Sequence, residues 1–179
     1  MRVISGLYKG RKIEGFDIDG TRPTMDRVKE SVFSSIQNYI DDSIVLDLFA
    51  GSGNLGIEAL SNGAKKCYFV DNNKIAIKVI NENLNKLDIN NGVVINNDYK
   101  EALNNFKNNN IKFNLIFLDP PYKLDCINEI INTILKDNLL EDNGLIICEF
   151  DSEINKEYEE LVVLKDKKYG SKYVVIFKK

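Results

Sequence analysis

The chain has 179 residues, 44% hydrophobic and 28% charged, with 11 Gly and 3 Pro, which is the composition of one soluble domain able to bury a core without disulfides or metal. It has no His, which excludes Ser-His-Asp and Cys-His catalysis, a His-ligated zinc site and an imidazole proton shuttle. The net charge of −3 conceals a gradient: residues 1–30 carry seven cations against five acids, residues 165–179 carry six Lys against one Asp, and the body between them is acidic.

In chain order, Val3-Ile4-Ser5, Tyr8-Lys9-Gly10 and Arg11-Lys12-Ile13 read as a small N-terminal hairpin, followed by a Gly15 to Gly20 loop and a helix from about Thr24 to Tyr39. Four cations and no acid fall in the first 12 residues: Arg2, Lys9, Arg11 and Lys12. They suit a phosphate backbone if the two basic ends meet in space, and equally suit a solvated surface. Five near-continuous apolar runs follow, at 44–49, 67–70, 93–95, 113–118 and 145–150, the pattern of strands buried on both faces of a parallel sheet. Between them, apolar residues at helical spacing predict helices over 55–60, 75–87, 99–106 and 127–135. Gly63 is the expected left-handed cap closing the first of these, and Asn72 or Asn73 the N-cap of the second. Leu161 to Leu164 and Tyr173 to Phe177 flank Tyr169-Gly170-Ser171 too closely for a helix, so they predict an antiparallel hairpin at one sheet edge. The fold class is therefore α/β: a doubly wound, Rossmann-like, seven-stranded and mostly parallel sheet, with the last strand inserted antiparallel and a small N-terminal hairpin plus helix.

Cys67, Cys126 and Cys148 form no CxxC pair, which points away from a zinc knuckle or a disulfide framework and towards a reducing cytoplasm. Neither a signal peptide nor a membrane span is expected.

Gly51-Ser52-Gly53-Asn54-Leu55-Gly56 follows the first strand and opens a helix, which matches G-x-G-x-x-G in its proper context. Asp71 lies 20 residues after Gly51 at the end of the second strand, where a carboxylate accepts hydrogen bonds from a ribose. Charge selects the nucleoside. NAD would lay an anionic pyrophosphate on this turn, and Asp47 would oppose it. S-adenosyl-L-methionine has no phosphate and carries a sulfonium and an ammonium, so Asp47 fits it better. Asp98, ending the third strand, is placed for the adenine amino group, or for capping the next helix, or for both.

Asp119-Pro120-Pro121-Tyr122 follows the fourth strand, on the sheet edge where ligands of open α/β folds bind. The two prolines fix an extended turn, leaving the Asp119 carboxylate and the Pro120 carbonyl as acceptors for one exocyclic NH2 group. An aromatic amine is a poor nucleophile because its lone pair is delocalised into the ring. Accepting its protons keeps electron density on nitrogen while a methyl group approaches. Tyr122 can stack on a flipped-out base.

These residues, Asp47-Leu48-Phe49-Ala50-Gly51-Ser52-Gly53 with Asp71, Asp98 and Asp119 to Tyr122, resemble the class I S-adenosylmethionine-dependent methyltransferases that modify exocyclic amino groups. Arg2-Val3-Ile4-Ser5-Gly6, Gly10-Arg11-Lys12 and Arg22-Pro23-Thr24-Met25-Asp26-Arg27-Val28-Lys29-Glu30 are similar to the N-terminal signature of the RsmD family, which methylates N2 of one guanine in bacterial 16S ribosomal RNA. The resemblance runs over nearly the whole chain. It implies cofactor contacts from Asp47, Phe49, Gly51, Gly53, Asp71, Asn72, Asp98 and Thr24, and catalysis by Asp119, Pro120 and Tyr122. RNA contacts are implied for Arg2, Lys9, Arg11, Lys12, Arg22, Arg27 and Tyr122. Thr24 and Arg27 also suit a plain helix start, with Thr24 as cap and Arg27 in surface ion pairs. The implied substrate is 16S rRNA within a small subunit or assembly intermediate, met by a cytoplasmic monomer without metal. The implied organisation is a single domain, residues 1–22 forming an RNA-contacting arm and 23–179 the catalytic fold. Two departures are mild: the ribose acid, often Glu, is Asp71, and the aromatic of the catalytic motif, Phe in some relatives, is Tyr122 here. Competing readings are a DNA or other RNA amino-methyltransferase acting on adenine N6 or cytosine N4, an NAD-dependent oxidoreductase, and a non-catalytic assembly factor.

Overall fold

A computed structural model describes residues 1–15, 26–121, 126–151 and 154–179. The five apolar runs become parallel strands β1 (Ile44–Asp47), β2 (Lys66–Asp71), β3 (Gly92–Asn96), β4 (Phe113–Leu118) and β5 (Leu140–Phe150). The expected terminal hairpin forms β6 (Val162–Tyr169) and β7 (Lys172–Lys178). The strand order is β3-β2-β1-β4-β5-β7-β6, with β7 antiparallel between β5 and β6. Connections run outwards in both directions from β1 and β4, so the crevice at their carboxyl ends is the topological switch point where ligands of such sheets bind.

Period-two alternation sends Val45, Phe117, Ile147 and Val174 to one face and Leu46, Ile116, Ile146 and Val175 to the other. The first face is covered by the N-terminal segment and helices α1 (Asp26–Ile36), α2 (Asn54–Ser61) and α3 (Lys74–Lys86). The second is covered by α4 (Tyr99–Asn108) and α5 (Ile127–Lys136). α1 continues into a short 3₁₀ turn, Gln37–Tyr39, so the expected helix ends where predicted, while its expected start at Thr24 lies outside the described residues. Asn73 caps α3 by accepting from the Ile75 N–H at 2.8 Å, and Gly63 follows α2 with φ of +103°. No helix among the described residues is long and apolar enough to cross a membrane.

The N-terminal hairpin differs from expectation. Among the described residues its ladder is a single bridge between Arg2 and Lys12, with Ile13 N–H donating to Met1 C=O and Val3 N–H to Arg11 C=O, each at 3.0 Å, and Gly10 N–H to Val3 C=O at 2.9 Å. The next donors are drawn elsewhere: the N–H groups of Ile4 and Ser5 point into the Glu58 carboxylate, and that of Leu7 to the Ser61 carbonyl. Helix α2 competes successfully for the backbone that a longer hairpin would have used. β5 starts earlier than its apolar run because Leu140 pairs with Phe113 before a register shift near Asn143, which has φ of +63°. β6 runs past Leu164 through Lys165-Asp166-Lys167-Lys168, since an edge strand needs a partner on one side only and carries charge on the other.

Candidate active site

The carboxyl ends of β1 and β2 are tied together by Asp71. Its Oδ2 accepts the Gly51 N–H at 2.9 Å and its Oδ1 the Asn73 N–H at 2.8 Å, so one carboxylate anchors both loops. Burial pushes the Asp71 carboxyl up, opposed by those backbone donors. The turn bends back on itself, with Gly53 N–H donating to Ala50 C=O at 2.7 Å, and Gly53 opens α2 at φ of +79°, where a side chain would be strained. Gly56 serves packing: a Cβ there would lie 2.3 Å from Cε1 of Phe69.

Asp47 is 2% exposed, and its Oδ2 accepts the Gly56 N–H at 2.9 Å beneath α2. Burial pushes its carboxyl up to about 7, and the negative charges of Asp119 and Asp71 add to the shift. The sequence reads Asp47 as an acid near the turn that favours a cation over a pyrophosphate; the structure holds it under the glycine turn, bonded into the first turns of α2. Phe49 sits at the next position on this edge, its ring 5.5 Å from that of Tyr99. Asp98 is exposed and caps α4 by accepting from Lys100 N–H at 2.9 Å, so its capping role is realised. Tyr99, which sequence reasoning passed over, places an aromatic face beside Phe49 and Asp98; an aromatic directly after a capping Asp at a strand end was the available signal. Asn72 is exposed beside Asp71.

Asp119 follows β4 across the switch point. Leu118 pairs with Cys148, so Asp119 stands level with Glu149 on β5. Lys172 at the start of β7 donates from Nζ to Glu149 Oε1 and lies 3.9 Å from Asp119 Oδ1. A small cavity beside them is walled by Val32, Leu55, Phe117, Ile147 and Val174. Sequence reasoning missed Glu149 and Lys172, although each is a charged residue at an inward position of a strand. Pro120 is buried and Pro121 exposed; Tyr122, Arg22 and Thr24 lie outside the described residues.

The basic ends do converge, on α1. At one side, Arg2 Nε donates to Asp26 Oδ2 at 3.1 Å and Lys29 Nζ donates to the Arg2 carbonyl at 2.8 Å. At the other, Lys165 Nζ donates to Ser31 O, Ser31 Oγ and Ser35 Oγ, and the Tyr169 hydroxyl is hydrogen-bonded to that of Ser31. Lys9, Arg11, Lys12 and Arg27 are exposed, and Arg11 Nη2 also donates to the Lys86 carbonyl at 3.0 Å.

The donor set fits S-adenosylmethionine. Asp71 and Asp98 line the β1 to β3 end of the edge with acceptors, and Asp47 lies buried beneath the turn between them and α2, an arrangement suited to a ligand with a sulfonium, an ammonium, a ribose diol and an adenine amino group. Acceptors of this kind would repel a pyrophosphate.

The chain resembles known proteins along its length. A family model described as Conserved hypothetical protein 95 matches residues 1–178. YlbH of Bacillus subtilis (strain 168) is 42% identical over 182 residues, covering 100% of this chain and 99% of that protein. Ribosomal RNA small subunit methyltransferase D of Haemophilus influenzae is 39% identical over 151 residues, covering 83% of this chain and 78% of that one. The solved structure of yhhF from Escherichia coli superposes with a TM-score of 0.86 at 28% identity, over 100% of this chain and 97% of the other.

Proposed function

The chain belongs to the RsmD family, and we propose that it methylates the exocyclic N2 of one guanine in bacterial 16S ribosomal RNA, within a small subunit or an assembly intermediate. The observation that carries this reading is the position of Asp119: an acceptor at the switch point, across the crevice from a glycine turn whose flanking carboxylates suit a cationic nucleoside.

S-adenosyl-L-methionine, when bound, supplies a methyl group already activated on a sulfonium, so the reaction needs no metal. The chain's own residues do the rest. Asp71, fixed by two backbone donors, accepts from the ribose hydroxyls. Asn72 flanks the same sugar. Gly51 and Gly53 let the backbone approach closely. Asp47 braces the glycine turn from beneath through the Gly56 N–H, and Asp98, with Phe49, borders the adenine; Thr24 completes the cofactor contacts. Asp119 and the Pro120 carbonyl accept the N2 protons of guanine, orienting the nitrogen lone pair towards the methyl group. Asp119 then takes the proton that the methylated nitrogen releases. Tyr122 stacks on the target base.

Arg2, Lys9, Arg11, Lys12, Arg22 and Arg27 hold the RNA backbone, and the meeting of both basic ends on α1 supports that assignment. The protein acts as one domain, with residues 1–22 as the RNA-contacting arm, and as a monomer in the cytoplasm. The roles are separated by two variants. Asp119→Ala abolishes methyl transfer while S-adenosylhomocysteine affinity stays within a few-fold of wild type; Asp71→Ala weakens S-adenosylhomocysteine binding. The reverse pattern overturns the assignment.

A further inference from the structure

The proposed reaction leaves one feature of the crevice unused: a second carboxylate beside Asp119. Glu149 is 6% exposed and interrupts an otherwise apolar run one residue before its end at Phe150, and Lys172, 7% exposed, is its ion-pair partner. The register explains how they meet. Leu118 pairs with Cys148, and Glu149 pairs with Val174. Asp119, Glu149 and Lys172 therefore project to the same face of the sheet, the one covered by α1 and α2. Asp119 and Glu149 both line the small cavity there, and one ammonium, that of Lys172, reaches both carboxylates.

Two acceptors side by side distinguish the bases that carry an exocyclic amino group. On the Watson–Crick edge of guanine, the N2 amino group adjoins N1–H, so two donors lie next to each other. In adenine and cytosine the amino group adjoins a bare ring nitrogen, which is an acceptor and is repelled by a carboxylate. Flipped-out bases are read on this edge. A carboxylate confined among apolar walls has few ways to reorient, and burying it beside a base that offers no proton is costly.

We propose that Glu149 selects guanine: its carboxylate accepts the N1–H of the target base while Asp119 accepts an N2–H. Lys172 is a positioning residue that acts through Glu149, holding its carboxylate level with Asp119 and balancing the charge of the pair. This rests on the reading of the site as a guanine-N2 methyltransferase.

The test uses the full chain and small subunits from a strain lacking the enzyme, with labelled S-adenosylmethionine and nucleoside mass spectrometry. It compares wild type, Lys172→Met, Glu149→Leu and the double variant Glu149→Leu/Lys172→Met. Replacing both members of a buried ion pair by apolar residues is commonly tolerated by the fold, so the double variant is decisive. It is expected to bind S-adenosylhomocysteine as wild type does and to fall roughly 100-fold in kcat/KM, the scale of one hydrogen-bonded base edge. Recovery of near-wild-type kcat/KM in the double variant overturns the proposal, because Glu149 would then serve only to neutralise Lys172. A double variant that no longer binds S-adenosylhomocysteine overturns it too, because the pair would be holding the fold rather than the base. If wild type itself forms no N2-methylguanosine, the guanine reading fails before any variant is compared.

Discussion

Lys29 on α1 and Glu58 on α2 form an ion pair at 2.9 Å in which neither side chain has any exposure. The remaining capacity of both groups is used. Glu58 also accepts from the N–H groups of Ile4 and Ser5 and from the Ser5 hydroxyl, while Lys29 donates to the Arg2 carbonyl and to Asn54 Oδ1. Two charges thus bolt the N-terminal segment, α1 and α2 together next to the glycine turn. Removing one member leaves the other buried without its counterion. Lys29→Met is expected to cost about 3–5 kcal/mol in urea unfolding, and adding Glu58→Leu to recover part of it. Unchanged stability in the single variant would mean that water reaches Glu58.

Gly56→Ala drives a methyl group against the Phe69 ring, where the Cβ would lie 2.3 Å from Cε1. The helix must move off β2, carrying with it the N–H that holds Asp47. The expected loss is about 1–3 kcal/mol, with weaker S-adenosylhomocysteine binding, and Phe69→Leu restores part of both. An alanine variant with wild-type stability and affinity would show that α2 is not seated as described.

Asp47 gives a pH signature whose sign is opposite to that of an ion-paired carboxylate. Its carboxyl is raised from 3.8 to about 7 by burial, so between these pH values the folded state holds a proton that the unfolded state has released. Stability therefore falls as pH rises from about 4 to 7 and levels off above, the full loss being on the order of a few kcal/mol. Asp47→Asn keeps an acceptor for the Gly56 N–H and removes this slope. Urea melts of both proteins across that range check it; parallel pH profiles would contradict it.

The exposed cations of the N-terminal segment should report through salt. Arg11→Ala with Lys12→Ala is expected to lower small-subunit affinity and to reduce the salt slope by roughly 0.7–0.9 for each phosphate no longer neutralised. An unchanged slope places these cations on a solvated surface.

Much of this architecture was legible because its determinants are local. Each parallel strand is built on a near-continuous apolar run, and caps such as Asn73, Asp98 and Gly63 mark helix ends within one residue. The glycine turn and Asp119 were legible for the same reason: a G-x-G-x-x-G or a D-P-P-Y is contiguous in sequence. What escaped notice depends on pairs distant in the chain. Nothing local shows that Glu58 will take the backbone donors of Ile4 and Ser5, some 50 positions away, and thereby shorten the hairpin to one bridge. Glu149 and Lys172 are likewise 23 residues apart and meet only because β7 is inserted beside β5. Asp47 was visible as an acid near the turn, but that it lies beneath α2 follows from packing that sequence does not display.

Transfer of a methyl group to guanine N2 in small-subunit RNA is checked by incubating the protein and labelled S-adenosylmethionine with small subunits from a strain lacking the gene. Nucleoside mass spectrometry reads the product, with Asp119→Ala as control. N2-methylguanosine is expected in the small-subunit RNA with the wild-type protein and none with the variant. Binding of the cofactor without any methylated guanine in that RNA would contradict it.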